Sequence, residues 1–268
     1  MIIVQYAFVF IFGLIFGSFF NVCIYRIPNE QSIVKPSSHC PNCNTPLKGK
    51  DLVPVLSHLF LGGKCRYCKT PISIRYTLVE LLTAVIYVAL FYKFGLTVEF
   101  LAATFLMSVL ICVFFIDLDH KIIPNGLVIT GLVGSAGLFT YNLFANVSFY
   151  GDNNWWTPLL GILVGSGTFF LIALIGSWVY KTEDALGMGD VKIFIPIGIF
   201  LGWKLTIIAL CATILLAGLM GIVLILAGKR DRKSTMPLGP FIVTGVFIAL
   251  LWGWQIIDWW NYYYLGNL

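Results

Sequence analysis

An all-α polytopic membrane protein is the fold class this sequence predicts, with about eight transmembrane helices and a small cytoplasmic loop domain after the first of them. Three observations predict it. The 268 residues are 59% hydrophobic and only 11% charged, with a mean hydropathy of +0.91, far outside the range of ordinary soluble domains. Apolar runs recur near residues 4–25, 77–95, 98–116, 125–145, 157–180, 191–203, 205–227 and 239–257. If the N-terminus faces outward, every Lys and Arg except Lys93 and Lys204 falls in an inner loop, the asymmetry that fixes orientation during insertion.

The first run, expected as a membrane helix over 1–25, has no Lys or Arg ahead of its apolar stretch, which argues against a cleaved signal peptide. A loop domain is expected over 26–76 and a multi-helix membrane domain over 77–268. The run 191–203 is short for a hydrocarbon layer of roughly 30 Å and suits a tilted or shielded segment. Glycines inside the spans, Gly13 and Gly17, then Gly161, Gly165 and Gly167, suit close helix packing. They lack the preceding strand and the spacing of a dinucleotide loop. The outer segment 146–156 has no basic residue; its Trp155 and Trp156, and the cluster from Trp259 to Tyr264, suit an interfacial belt. The net charge of +5 reports topology, because nucleic-acid binding needs a basic patch on a soluble surface. No nucleic-acid partner is expected, membrane lipid is, and the run from Lys229 to Lys233 reads as an anchor near anionic lipid.

The loop 26–76 carries Cys40 and Cys43, then Cys65 and Cys68, two C-x-x-C pairs separated by the 21 residues 44–64. Four thiolates so spaced can close a tetrahedron around zinc. Two disulfides are the alternative, but the charge asymmetry places the loop in a reducing compartment where they seldom persist. A closed four-cysteine site leaves no position for water, so the metal is expected to be structural, and the loop is expected to be a zinc-binding domain. Cys23, Cys112 and Cys211 lie in apolar runs and are expected in the core.

Of twelve acids, Asp117, Asp119, Glu183, Asp184 and Asp190 fall in two short inner loops. Ionisable groups at membrane depth are seldom kept without a partner or a task. Asp117 and Asp190 are the deepest. Two adjacent carboxylates cannot both ionise cheaply; one keeps a proton while the other activates water. Ordinary helix-end acids would look the same by composition, and the residues alone leave both readings open. Asp119, Glu183 and Asp184 are expected to form a negative vestibule for a basic substrate.

The residues F-I-D-L-D-H-K-I-I-P-N from Phe115 and G-M-G-D-V-K from Gly187 resemble the two signature motifs of the type IV prepilin peptidases. The resemblance continues through G-S-F-F-N-V-C-I-Y-R-I-P from Gly17, the cysteine loop, and I-S-I-R-Y-T-L-V-E-L-L-T-A from Ile72, so it covers nearly the whole chain. It implies that Asp117 and Asp190 are the catalytic pair of an aspartyl endopeptidase of the bacterial inner membrane, with the site facing the cytoplasm. The implied substrates are type IV prepilins or pseudopilins, cut after a glycine that ends a basic leader. It also implies N-methylation of the new terminus by S-adenosylmethionine, for which the sequence singles out no binding residues.

Glu80, inside the second run, is expected to pair with Arg75 or Arg26, or else to shape a substrate or donor site. Asn21 and Arg26 have the same status. His39, His58 and His120 stand beside no deep nucleophile, which excludes a serine hydrolase. Two other readings stand beside the bifunctional enzyme. One is a peptidase without methyl transfer. The other is a zinc-bearing scaffold or transporter, although a transporter would place its charges at the midplane of repeated halves.

Overall fold

A computed structural model describes residues 2–145, 147–152, 154–180, 187–228 and 236–265. Among them the secondary structure is helical, with two isolated bridges and no strand. Eight α-helices follow in order: α1 Ile2–Arg26, α2 Leu56–Phe60, α3 Arg75–Phe94, α4 Val98–His120, α5 Asn125–Asn142, α6 Thr157–Tyr180, α7 Met188–Leu226 and α8 Gly239–Trp260. Asn146, Lys181, Glu183, Asp184, the run Lys229 to Lys233 and the side chain of Tyr264 lie outside the described residues.

Six helices, α1, α3, α4, α6, α7 and α8, are long and apolar enough to cross a membrane, and the protein is a multi-pass membrane protein. The runs expected to span are all helical. At 18 residues with polar ends, Asn125 and Asn142, α5 is not among the six. The runs expected at 191–203 and 205–227 are the two parts of the 39-residue α7, which breaks between them at Gly202 (φ 67, ψ 173). Unbroken, it would be about 58 Å long, nearly twice the roughly 30 Å layer. A Cβ at Gly202 would meet both Thr157 and Tyr150 at 2.9 Å, so glycine meets the steric limit and the positive φ together. The break takes carbonyls out of the helical ladder, and the Tyr150 hydroxyl donates to one of them, Ile199 O, at 2.9 Å.

The chain divides into two compact units, Met1–Leu96 and Thr97–Leu268. In the first, α1 packs along α3. A Cβ at Gly13 would lie 2.5 Å from Ala84 Cα, and one at Gly17 2.6 Å from Glu80 Cα. The outward face of α1 stays apolar, with Ile3, Phe8, Ile11 and Ile15 exposed, as lipid rather than water requires. In the second unit α7 is the centre, packing on α6, α8 and α5. Gly161 and Gly198 meet backbone to backbone: a Cβ on Gly161 would lie 2.1 Å from Gly198 O. A Cβ on Gly165 would meet Phe194 at 2.9 Å, whereas among the described residues one on Gly167 would touch only Leu163 of its own helix, so no close packing role for Gly167 is seen there. Cys23 and Cys112 are buried as expected, but Cys211 is exposed. An apolar environment in a membrane can be lipid as well as core, and hydropathy does not separate the two.

Trp155, Trp156, Trp259 and Trp260 are exposed, the disposition expected of a belt. Lys204 pairs with Asp152 at 3.4 Å and lies over the rings of Trp203 and Trp254.

Candidate active site and metal centre

Asp117 and Asp190 come from opposite kinds of helix end. Asp117 is in the last turn of α4, whose termination is local: Lys121 adopts the left-handed conformation (φ 56, ψ 38), its N–H returns to Asp117 O at 2.9 Å, and Pro124 follows. Asp190 is in the first turn of α7, where unpaired N–H groups favour an acid. Both are buried, at 5% and 8% exposure, while Asp119 two residues on is exposed. The two carboxylates are close enough for the charge of Asp117 to act on Asp190.

Other residues lock this arrangement. Gly189 lies against Ile123, where a Cβ would approach to 3.1 Å, and Lys192 Nζ donates to Asn125 Oδ1 at 3.3 Å. These contacts join the two motif segments. Gly239 adds a third segment that motif reading missed. Its N–H, at the start of α8, donates to Asp117 Oδ2 at 2.7 Å, and a Cβ there would fall 2.8 Å from Asp117 Cβ. The only sequence signal was Gly239 preceding Pro240 at a helix start. Two buried carboxylates within reach of each other's charge, one oriented by a backbone donor, can share general acid and general base roles toward a polarised carbonyl and a water.

In the first unit, Cys40, Cys43, Cys65 and Cys68 converge, with their Sγ atoms within 4.8 Å of one another and Cys40 Sγ 3.8 Å from Cys68 Sγ. A tetrahedral zinc with bonds of about 2.3 Å requires sulfur separations of about 3.8 Å, so the residues fit the metal. All four thiols are free of disulfides. Each pair sits on the same kind of turn. Cys40 N–H donates to Thr45 O and Asn44 N–H to Cys40 O, while Cys65 N–H donates to Thr70 O and Lys69 N–H to Cys65 O. Asn44 and Lys69 both have positive φ. The segments are a repeat, C-x-x-C-x-T-P at 40–46 and again at 65–71, a signal that spacing between cysteines alone does not reveal. The threonines matter to the thiols: Thr45 draws the Cys43 thiol below its ordinary value, and Thr70 brings that of Cys68 down to about 5, toward the thiolate that a metal needs. Asp51 braces the loop by pairing with Arg66 and accepting from the Tyr67 hydroxyl at 2.9 Å.

Glu80 does not pair with Arg26. The Arg26 guanidinium donates to the carbonyls of Ser32 and Pro36 at 3.0 and 2.8 Å, closing the loop that follows α1. Glu80 Oε2 instead accepts from Val55 N–H at 2.8 Å. Asn21 Nδ2 donates to Tyr76 O at 3.0 Å, tying α1 to the start of α3.

A bacterial peptidase A24 N-terminal domain model matches residues 11–94, and a type IV leader peptidase family model matches 104–222. The chain is 34% identical to the prepilin leader peptidase/N-methyltransferase of Aeromonas hydrophila over 98% of its own length and 94% of that protein. It is 35% identical to the protein of that name from Bacillus subtilis strain 168, over 93% of this chain and 95% of that one. Identity to the Myxococcus xanthus protein of that name is 38%, over 85% of this chain and 66% of that one. No solved structure matches.

Proposed function

The chain belongs to the type IV leader peptidase family, and from that premise we propose that it is a membrane aspartyl endopeptidase that removes the basic leader of type IV prepilins or pseudopilins. The observation that carries the reading is that two buried carboxylates, Asp117 and Asp190, from segments far apart in the chain, lie within reach of each other's charge. In this mechanism the protonated carboxyl polarises the scissile carbonyl, that of the leader's last glycine. The ionised one takes a proton from the attacking water, a proton passes to the departing amine as the C–N bond breaks, and no acyl-enzyme forms. The basic-residue asymmetry supports a bacterial inner membrane protein with eight crossings, counting α5 and both halves of α7, and with cleavage on the cytoplasmic side. The loop 26–76 then serves as a cytoplasmic zinc domain and 77–268 as the membrane domain. Cys40, Cys43, Cys65 and Cys68 would hold a structural zinc, since four thiolates leave no open coordination position. The relatives' names support a second activity, N-methylation of the new terminus, for which S-adenosylmethionine supplies the methyl group.

Incubating the purified full chain with a prepilin, with and without S-adenosylmethionine, separates the activities by mass. Loss of the leader alone is expected without the donor, and loss of the leader plus one methyl with it. An intact prepilin would refute the peptidase reading; cleavage without methylation would leave a peptidase only.

Gly239 should act as a positioning residue. Gly239→Ala forces Asp117 to move, and displacements of about 1 Å at a reacting centre can cost roughly 10²-fold in rate. A fall of that order in kcat is expected with KM little changed, measured on variant protein shown to be membrane-inserted; near-normal turnover would count against the geometry.

A further inference from the structure

The short helix α2 has its polar side inward. Ser57 and His58 line the cavity between the loop, α1 and α3. Leu56, Leu59 and Phe60, spaced as neighbours on one helix face, are exposed, and so is Val53 just before them. Leu59 is 65% exposed and Phe60 85%. A helix covering a water-facing loop would be arranged the other way round, and a cluster of exposed apolar side chains marks an interaction surface.

The depth of this surface follows from one hydrogen bond. Val55, the residue before α2, has φ 61 and ψ −52, and its N–H donates to Glu80 Oε2 at 2.8 Å. Glu80 belongs to α3, which begins at Arg75 and Tyr76 and is long and apolar enough to cross a membrane. Tyr76, and Tyr25 near the end of α1, are exposed, as tyrosines at a membrane interface are. Along α3, Glu80 lies about 6 Å deeper than Tyr76, a distance its side chain can only just span by leaning back toward the helix start. The beginning of α2 therefore sits at the level of the tyrosines. That is the boundary layer in which interfacial helices rest, their apolar faces about 5–10 Å deep.

Charge selects the occupant. Residues 27–74 contain six basic side chains and two acidic ones, and four thiolates on a divalent ion would remove only two of the four surplus charges. Lys48 and Lys50 precede the apolar face and Lys64 follows it; all three are exposed and, among the described residues, stand outside the ion pairs. A basic leader would be repelled here, whereas anionic headgroups are attracted.

We propose that the outer face of α2 docks on the anionic cytoplasmic leaflet, with Leu56, Leu59 and Phe60 among the acyl chains and Lys48, Lys50 and Lys64 at the headgroup phosphates. The loop is thereby fastened to the bilayer beside the two helices that carry it. The inference rests on the reading that this loop faces the cytoplasm.

The test uses the full chain in nanodiscs of mixed phosphatidylethanolamine and phosphatidylglycerol. The photoreactive residue p-benzoylphenylalanine replaces Phe60 or, in a second protein, Leu59, with bound metal as the fold control. After ultraviolet irradiation the adducts are identified by mass, with and without added prepilin. Phospholipid adducts are expected at both positions, with phosphatidylglycerol enriched at least about twofold over its share of the disc. That enrichment should vanish in the triple variant Lys48→Gln, Lys50→Gln, Lys64→Gln, and at about 1 M salt, where the Debye length is about 3 Å. Absence of phospholipid adducts, their replacement by adducts to prepilin or to a second copy, or phosphatidylglycerol at no more than its share each overturns the docking. If one labelled protein loses its metal, the other position decides. Protease added to spheroplasts reads the orientation separately: cleavage of the loop from outside refutes its cytoplasmic placement and the choice of leaflet, whatever the adducts show.

Discussion

Asp117→Asn and Asp190→Asn should each lower the cleavage rate by about 10²–10⁴-fold, down to the background of the assay, with the protein still inserted in the membrane. A positioned acid or base contributes roughly that factor, and because the two carboxylates act as one unit the double variant should be little worse than either single one. An amide is nearly the same size as the carboxylic acid, so packing around the buried pair is preserved and the effect falls on proton transfer. At position 117 the amide oxygen can still accept from Gly239 N–H, which keeps the segment in place. Asp119→Asn is the comparison. Its exposed side chain points away from the pair, and its replacement should cost less than about threefold, in line with the roughly 0.2–1 kcal/mol of exposed charges. Cleavage of a purified prepilin by each variant, followed by mass, measures all four proteins. Substantial turnover by either Asn variant at the pair would remove the aspartyl mechanism.

The second large effect is expected from Cys40→Ser combined with Cys65→Ser. Small zinc-dependent peptides draw roughly 10–16 kcal/mol of apparent binding free energy from their metal at neutral pH, and the segment between α1 and α3 has little else to fold around. Its regular structure consists of the five-residue α2, a three-residue 3₁₀ turn and two isolated bridges. Elemental analysis should fall from about one zinc per wild-type chain to none, and proteolysis between Arg26 and Arg75 should become rapid. Cleavage should fall much less, because Asp117 and Asp190 belong to the other unit. A wild type without metal, or a variant that resists protease as the wild type does, would rule out a structural zinc.

How much of this was legible in the sequence depended on how local each signal is. The helices could be read because lipid demands long apolar runs, and their residues carry that demand individually. Cys40, Cys43, Cys65 and Cys68, and the two aspartates, stand in short motifs whose chemistry is visible within a few positions. Gly239 was missed because its partner is more than a hundred residues earlier and the interaction uses a backbone N–H, which every residue but proline has. Val55 was invisible for a similar reason: nothing in V-P-V-L-S announces its φ of 61 or the hydrogen bond from its N–H to a carboxylate on another helix. Glu80 was expected beside Arg75 or Arg26, or else shaping a site, and charge alone did not announce that Arg26 is committed to two backbone carbonyls. The exposed Cys211 shows the limit of hydropathy, whereas the division of the apolar stretch at Lys204 lies two residues from the break at Gly202.

That break also sets an angular tolerance. From Gly202 to Asp190 the first part of α7 is a rod of about 18 Å at 1.5 Å per residue, held at one end by the interrupted backbone and carrying a carboxylate at the other. Catalytic groups need to be placed within about 0.5 Å, so the rod can swing by only about 2° before Asp190 leaves its place. A single pivot cannot hold that precision. The packing of α6 along the rod supplies it, through the direct backbone seat of Gly198 on Gly161 and the stacking of Phe169 on Phe194 at 4.8 Å between ring centres. Both contacts lie between the pivot and the load. Any side chain added at residue 161 or 198 therefore acts as a wedge, and its effect is magnified at the Asp190 carboxylate in proportion to the distance beyond it.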